Sequence, residues 1–441
     1  MEQRRKNLTQ LFIPICLETL LYMLSGMVDT LMLSSVNDQA VGAVGTANTY
    51  IGIFIIMFSV ISSGMVAVMT QNIGAGRPGV AYQARQLGLT FNAVLGIIVS
   101  LILTFGAGAI LAGVGVADAL MQPARTYLQI VGGFCILNAL IPICSSYLRA
   151  FGFSKEPLYA SIIGNVINFC LNAFFLFVLH KGVAGVATAT VISRIINLVI
   201  VVLLGAVLVK AKQHPERESN RAVMGQIIRI GLPSACETAI YNVSMTLVIR
   251  FLNQMDAQGL NVTARSYTMQ ITNFSYCVGA ALAQANAIMT GWHIGAKEYD
   301  ACDRGTKKAA VIGVIVAVIL ETVFTLCSGW IMQLFSKDPQ MVSLVGKLLA
   351  IDIVLEIGRV TNLVYGQALK TSGDAVFPEG MGACFMILCS VGGTYLFGIR
   401  LGLLAVGAYI GMTGDECVRA VGMYLRWKSG KWKEKGLVKS R

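Results

Sequence analysis

Charge is what this chain has least of. Only 13% of its 441 residues are Asp, Glu, Lys or Arg, and 56% are hydrophobic. Soluble domains carry about 25% charged residues. The deficit runs the whole length, which excludes a soluble domain on a single anchor and indicates a polytopic membrane protein, an all-α one. Histidine is scarce too: His180, His214 and His293 are too scattered for ligand or triad spacing. No His-Glu-x-x-His or Gly-x-Ser-x-Gly string occurs, so an intramembrane enzyme lacks its machinery and no catalytic residue is assigned. The eleven cysteines form no Cys-x-x-Cys pair. Most lie in apolar stretches, as Cys135, Cys170 and Cys327 do, and read as small core residues rather than disulfides or zinc ligands. A cleavable signal peptide is not expected, because the apolar run after the basic start MEQRRKNLTQ is long and has no small-residue cleavage site.

What is present is apolar length. Stretches of about twenty residues predict twelve spans. The first six cover 8–34, 46–73, 84–113, 124–151, 157–180 and 183–210, and the second six cover 223–253, 263–293, 302–333, 342–370, 375–399 and 401–426. Net charge is +12, which in a soluble chain would suggest nucleic acid. Here the bases gather at alternate connections, the pattern of topology signals. One side holds Arg4, Arg5, Lys6, Arg77, Arg85, Lys155, Lys212, Arg217, Arg221, Lys297, Arg304, Lys307, Lys308 and the tail from Arg426. The other holds Arg125, Lys181, Lys337 and Arg400. Both termini are therefore expected in the cytoplasm of a multi-pass cell-membrane protein. The expected organisation is an N-lobe over 1–210, a cytoplasmic linker over 211–222, a C-lobe over 223–426 and a basic tail over 427–441. The tail is expected to bind anionic lipid, with Trp427 and Trp432 at the interface.

The two halves repeat. Pro14-x-x-x-Glu18-Thr19-x-x-Tyr22-x-x-Ser25 recurs as Pro233-x-x-x-Glu237-Thr238-x-x-Tyr241-x-x-Ser244. Ile73-Gly74-Ala75 recurs as Ile294-Gly295-Ala296, and Leu148-Arg149-x-x-Gly152 as Leu369-Lys370-x-x-Gly373. Six spans per half keep both copies in one orientation. The lobes are expected to be related by a pseudo-twofold axis along the membrane normal, an arrangement that suits alternating access better than a channel.

Polar residues line up on particular spans. Glu18, Tyr22, Ser25 and Asp29 share one helix face over about 16 Å. An intramembrane carboxylate is costly and marks a functional site by default. The second copy has Val248 in place of Asp29, so the lobes differ in charge. Pro14 and Pro233 either bend their helices or start them. Ser161, Asn165, Asn168 and Asn172 share a face of the fifth span, as interhelical glue or as cavity lining. Asp352, Glu356, Arg359 and Asn362 lie on the tenth. Glu356 and Arg359 can pair three residues apart, as a structural ion pair or a coupling site. Glu321, central in the ninth span, has no evident partner.

These strings, with Met27-Val28-Asp29-Thr30-Leu31-Met32, Asn168-x-x-x-Asn172, Gly185-Val186-Ala187-Thr188-Ala189-Thr190 and Glu356-x-x-Arg359-x-x-Asn362, resemble a bacterial branch of the multidrug and toxic compound extrusion (MATE) transporters over nearly the full length. The resemblance implies antiport: sodium or protons enter while an amphipathic, often cationic, small molecule leaves. Asp29 matches the family's first-span aspartate, so Asp29, Glu18, Asn168 and Asn172 are the expected ion-coupling set, with sodium one option at Asp29. Many relatives have Asp where this chain has Asn172, and some have an acid where it has Arg359. Tyr22, Ser25, Glu237, Tyr241, Glu356 and Arg359 are the expected substrate or second-lobe polar set. The expected partners are the substrate, the coupling cation and membrane lipid, with no cofactor, no structural metal, no nucleic acid and a monomeric state. The alternative is a lipid-linked sugar or lipid flippase of the same broad superfamily; those usually have fourteen helices and more cationic cavities.

Overall fold

The apolar stretches become helices, and no strand occurs among the described residues. These are residues 6–34, 38–113, 116, 118–211, 214–256, 258–333 and 335–438 of a computed structural model. Arg4, Arg5, Lys212 and the tail end from Lys439 to Arg441, all assigned above to the basic face, lie outside them.

The first six spans are α1 (Leu8–Ser34), α2 (Asp38–Gly74), α3 (Pro78–Gly113), the pair α4 (Asp118–Gly133) and α5 (Ile136–Ala150), α6 (Lys155–Ala173) and α7 (Gly182–Leu208). The second six are α8 (Asn220–Met255), α9 (Leu260–Gly295), α10 (Tyr299–Leu326), α12 (Pro339–Ser372), α13 (Val376–Phe385, continued by π-helical turns to Arg400) and α14 (Leu404–Lys428). A short α11 (Ser328–Met332) precedes α12. The fourth span, expected as one helix, is bent by 43° between α4 and α5. Seven of the described helices are long and apolar enough to cross a membrane, eight if that bent pair counts as one. The four other spans, α8, α9, α12 and α14, carry most of the membrane-embedded charges of the second half. Those charges lower hydropathy without shortening the helices.

Two compact units result, Met1–Gly231 and Leu232–Arg441. In the first, α2, α3, α4 and α7 bury Ala43, Ala47, Leu103, Leu128 and Ala187. In the second, α8, α9, α12 and α14 bury Val248, Ile271, Leu348, Leu355 and Ala405. Small residues let membrane helices approach closely. Outward faces stay apolar: on α10, Val311, Ile315, Ile319 and Val323 are all exposed at four-residue spacing, as a lipid-facing stripe requires. Before α8, the polar connection is docked rather than loose. Gln83 Nε2 donates to the Glu218 carbonyl at 2.7 Å, and Arg77 pairs with Glu218 at 2.7 Å.

Three expectations change. Pro14 and Pro233 both lie inside continuous helices, so neither starts one. Cys170, Cys236, Cys327 and Cys384 are exposed and are not core residues, because their helix faces turn outward; Cys135 is buried as expected. The tail folds back at Gly430, and Trp427 and Trp432 are each 1% exposed. The rings stack at 4.2 Å and 9°. Trp427 Nε1 donates to Asp303 at 2.8 Å and Trp432 Nε1 to the Trp427 carbonyl at 3.0 Å. These indoles satisfy their N–H groups inside the protein, where an interfacial anchor would present them to headgroups.

Candidate functional site

In the first unit the stripe on α1 is held at two points. Near one end, Arg149 Nη2 meets Glu18 Oε2 at 2.5 Å. Arg149 sits in the last turn of α5, which closes on Gly152 in the left-handed region (φ 86°). The Phe153 N–H reaches back to the Leu148 carbonyl at 2.9 Å, as such helix ends require. Three turns further along α1, Asn172 Nδ2 donates to Asp29 Oδ1 at 2.6 Å and to Asn168 Oδ1 at 3.2 Å. Asn172 is fully buried, and its Oδ1 has no hydrogen-bond partner. A buried amide oxygen without a donor is costly and, beside a carboxylate, fits an oxygen-coordinated cation. Arg194 of α7 is close enough to act on Asp29 electrostatically. Tyr22 is 69% exposed and Ser25 half-buried. The structure thus brings Asp29, Asn168 and Asn172 together, and leaves Glu18 about 16 Å from Asp29 along α1.

The second unit repeats the first anchor and elaborates it. Lys370, in the last turn of α12 before Gly373 (φ 97°), lies 3.5 Å from Glu237 Oε2. It also meets Glu379 of α13 at 2.7 Å, and Ser234 donates to Glu379 at 2.6 Å. Gly382 admits the Glu237 carboxylate: a Cβ there would stand 2.6 Å from its Oε1. Arg419 of α14 approaches Glu237 Oε1 at 3.7 Å and binds Asp415 at 2.8 Å and Glu416 at 3.0 Å. Arg359 pairs with Glu356 and reaches Glu416 at 3.6 Å. Glu416 also accepts from Asn362 at 3.0 Å. Arg265 of α9 does not join Glu237; its guanidinium makes a weak contact at 3.6 Å to Met245 Sδ.

This network borders a cavity of about 520 Å³ inside the second unit, lined by Tyr241, Met269, Tyr276, Tyr409 and Met412 beside the charged groups. Four basic side chains (Arg265, Arg359, Lys370, Arg419) and three acidic ones (Glu237, Asp352, Glu416) face it. Ser244, the last member of the repeated string, is 1% exposed and does not line it. Sequence reasoning noted Arg149 and Lys370 only as repeat markers, and missed Glu379, Glu416 and Arg419. The signal for the first two was a single basic residue at the same place in both copies.

The chain's relatives agree with this architecture. The MatE family model matches residues 14–174 and 233–396, each segment beginning at a repeated proline. The uncharacterized transporter YisQ of Bacillus subtilis is 33% identical, over 96% of this chain and 94% of its own length. The probable multidrug resistance protein NorM of Thermotoga maritima is 22% identical, over 98% of this chain and 94% of its own. A crystal structure of MATE in the straight conformation superposes with a TM-score of 0.86, covering 97% of this chain and 96% of that one at 19% identity. With twelve spans in two six-helix lobes and a family match in each, this chain belongs to the MatE family, the multidrug and toxic compound extrusion transporters.

Proposed function

We propose that this chain is a cation-coupled antiporter that exports amphipathic small molecules, cationic ones foremost, by alternating access. The observation that carries the reading is Asp29 held at 2.6 Å by Asn172, whose own amide oxygen is buried without a partner. That pair offers two oxygens to an entering sodium ion, or one carboxylate to a proton. The second-unit cavity supports the export half. Its volume of about 520 Å³ is that of a small-molecule site, and its tyrosines and methionines suit varied apolar surfaces. The distribution of basic residues supports cytoplasmic termini, and on this reading the coupling ion enters toward the side from which substrate leaves.

The test is transport in proteoliposomes under a sodium gradient, a proton gradient or neither, with one cationic and one anionic dye. Gradient-driven movement of the cationic dye is expected, with Asp29→Asn folding normally but losing it. Full gradient-driven transport in Asp29→Asn removes Asp29 from coupling. Movement of the anionic dye alone removes the cationic preference.

A further inference from the structure

One base in the second-unit cavity stands apart from the other three. Arg359 is paired with Glu356, Lys370 with Glu379 and Arg419 with Asp415. Arg265 of α9 has no such carboxylate: among the described residues it enters no ion pair. Its Nε has no hydrogen-bond partner, and its Nη2 donates only to the Met245 thioether at 3.6 Å. The side chain is 5% exposed, yet it borders the cavity. A buried guanidinium left without an anion is costly in a membrane helix, and such residues mark ligand pathways.

The local sequence sets this group at the head of an apolar wall. Arg265 lies in the second turn of α9. Met269, Thr272 and Tyr276 follow it at four, seven and eleven residues, and all line the same cavity, as one helix face should. The stripe runs about 16 Å. At its far end the Tyr276 ring lies 6.0 Å from the Arg359 guanidinium, which already has its carboxylate. Between the ends, Met269 of α9, Tyr241 of α8 and Met412 of α14 offer apolar surface. The stripe therefore joins one unsatisfied positive charge to a long surface suited to an apolar body.

We propose that Arg265 receives a carboxylate of the substrate, so that the transported compound is an amphipath with a carboxylate at one end. A carboxylate accepts two parallel N–H groups from a guanidinium, which satisfies the idle Nε and the charge together. The apolar body then lies along Met269 and Tyr276. A cationic group elsewhere on the molecule is compatible with this, and the substrate is then a zwitterion. The inference rests on reading the second-unit cavity as the substrate site, and it narrows what that site takes.

The experiment is equilibrium binding to the purified full-length protein in detergent, read by fluorescence polarisation. The probes are a cationic xanthene dye bearing a free benzoate and the methyl ester of the same dye, which differ in the carboxylate alone. The acid should bind about tenfold more tightly or better, the scale of a charge-assisted hydrogen bond. Arg265→Gln should bring the acid to the level of the ester. Arg265→Lys should keep part of the difference, because an ammonium keeps the charge without the fork. Tyr241→Ala should weaken both dyes alike. An ester that binds the parent protein as tightly as the acid overturns the proposal without any variant. So does an equal loss of both dyes in Arg265→Gln, or a preference for the acid that survives there. Unchanged binding of both dyes in Tyr241→Ala puts them outside the cavity, and removes the site reading together with this one. No gradient enters the measurement, so a failure of antiport in proteoliposomes would leave a preference for the acid standing.

Discussion

Glu18 and Arg149 form an ion pair of 2.5 Å between α1 and the last turn of α5, and the repeat reproduces it as Glu237 and Lys370 at 3.5 Å. Each pair ties the first helix of a unit to the end of its fourth span. The two are not copies in environment. At the repeat offset set by Gly152 and Gly373, Glu379 takes the place of Leu158, a buried apolar residue in the first unit. The second unit has added a carboxylate to a joint that in the first unit pairs one acid with one base.

That difference predicts unequal costs of breaking the joints. Arg149→Gln leaves Glu18 without its guanidinium in a membrane helix, and loss of one partner of a buried pair costs about 3–5 kcal/mol. The double variant Glu18→Gln, Arg149→Gln should recover most of it. Unfolding in a double-mutant cycle measures the coupling. Additive losses would mean that the pair contributes nothing as a pair.

A second prediction concerns backbone strain. The repeated Ile-Gly-Ala string is followed by Gly76 at φ 73° in the first unit and by Lys297 at φ 60° in the second. A side chain in the left-handed region costs roughly 1–2 kcal/mol, while glycine gives back part of this through the unfolded chain. Lys297→Gly should therefore raise stability slightly, by up to about 1 kcal/mol, and Gly76→Lys should lower it. Unfolding midpoints of the two variants should move in opposite directions.

The scaffold was legible in the sequence because its signals are one-dimensional. Apolar runs mark spans, and the repeated strings mark the duplication. The pairs were not legible, because rotation of two helices decides whether Arg149 at a helix end meets water or Glu18. Lys370 raises the same question. Glu321 shows a signal that was present and overlooked: Gly313 and Ala317 precede it at four-residue spacing, and such a face turns inward. Glu379 lies in the first turn of α13, where charge reads as interfacial, and Glu416 and Arg419 lie mid-span in α14 with no partner legible in the sequence; only the packing of α13 and α14 on α12 brings them to theirs. The tail tryptophans misled for a related reason, since Trp beside Lys has the composition of a membrane interface whether or not its rings are buried.

Trp432 gives the third prediction. It stacks on Trp427 at 4.2 Å and donates to its carbonyl at 3.0 Å. Lys435 and Arg426 both reach Asp374, at 3.5 Å and 2.7 Å, which closes the tail onto the end of α12. Truncating a buried Trp costs about 3–5 kcal/mol. Trp432→Ala should lower the unfolding midpoint of detergent-purified protein, where there is no bilayer to anchor to. An unchanged midpoint in detergent, with weaker attachment to anionic vesicles, would return the tail to the role of lipid anchor.

The fourth prediction separates the two repeated glutamates by function. Glu18 meets one base, Arg149, on the helix that also carries Asp29. Glu18→Gln leaves that guanidinium without its carboxylate and loosens α1 where it is anchored. The ion dependence of transport should therefore shift, and stability should fall. Glu237 stands differently. Lys370 keeps Glu379 at 2.7 Å, and Arg419 keeps Asp415 at 2.8 Å, so neither base loses its closer partner when Glu237 is neutralised. Glu237→Gln should fold nearly as well as the parent. Because Glu237 lines the cavity with Tyr241 and Arg359, its loss should act mainly on apparent substrate affinity. Transport measured against pH, sodium and substrate concentration for both variants decides the matter. Matching shifts in all three profiles would mean that the units work alike, and that the added Glu379 and Arg419 contacts are structural only.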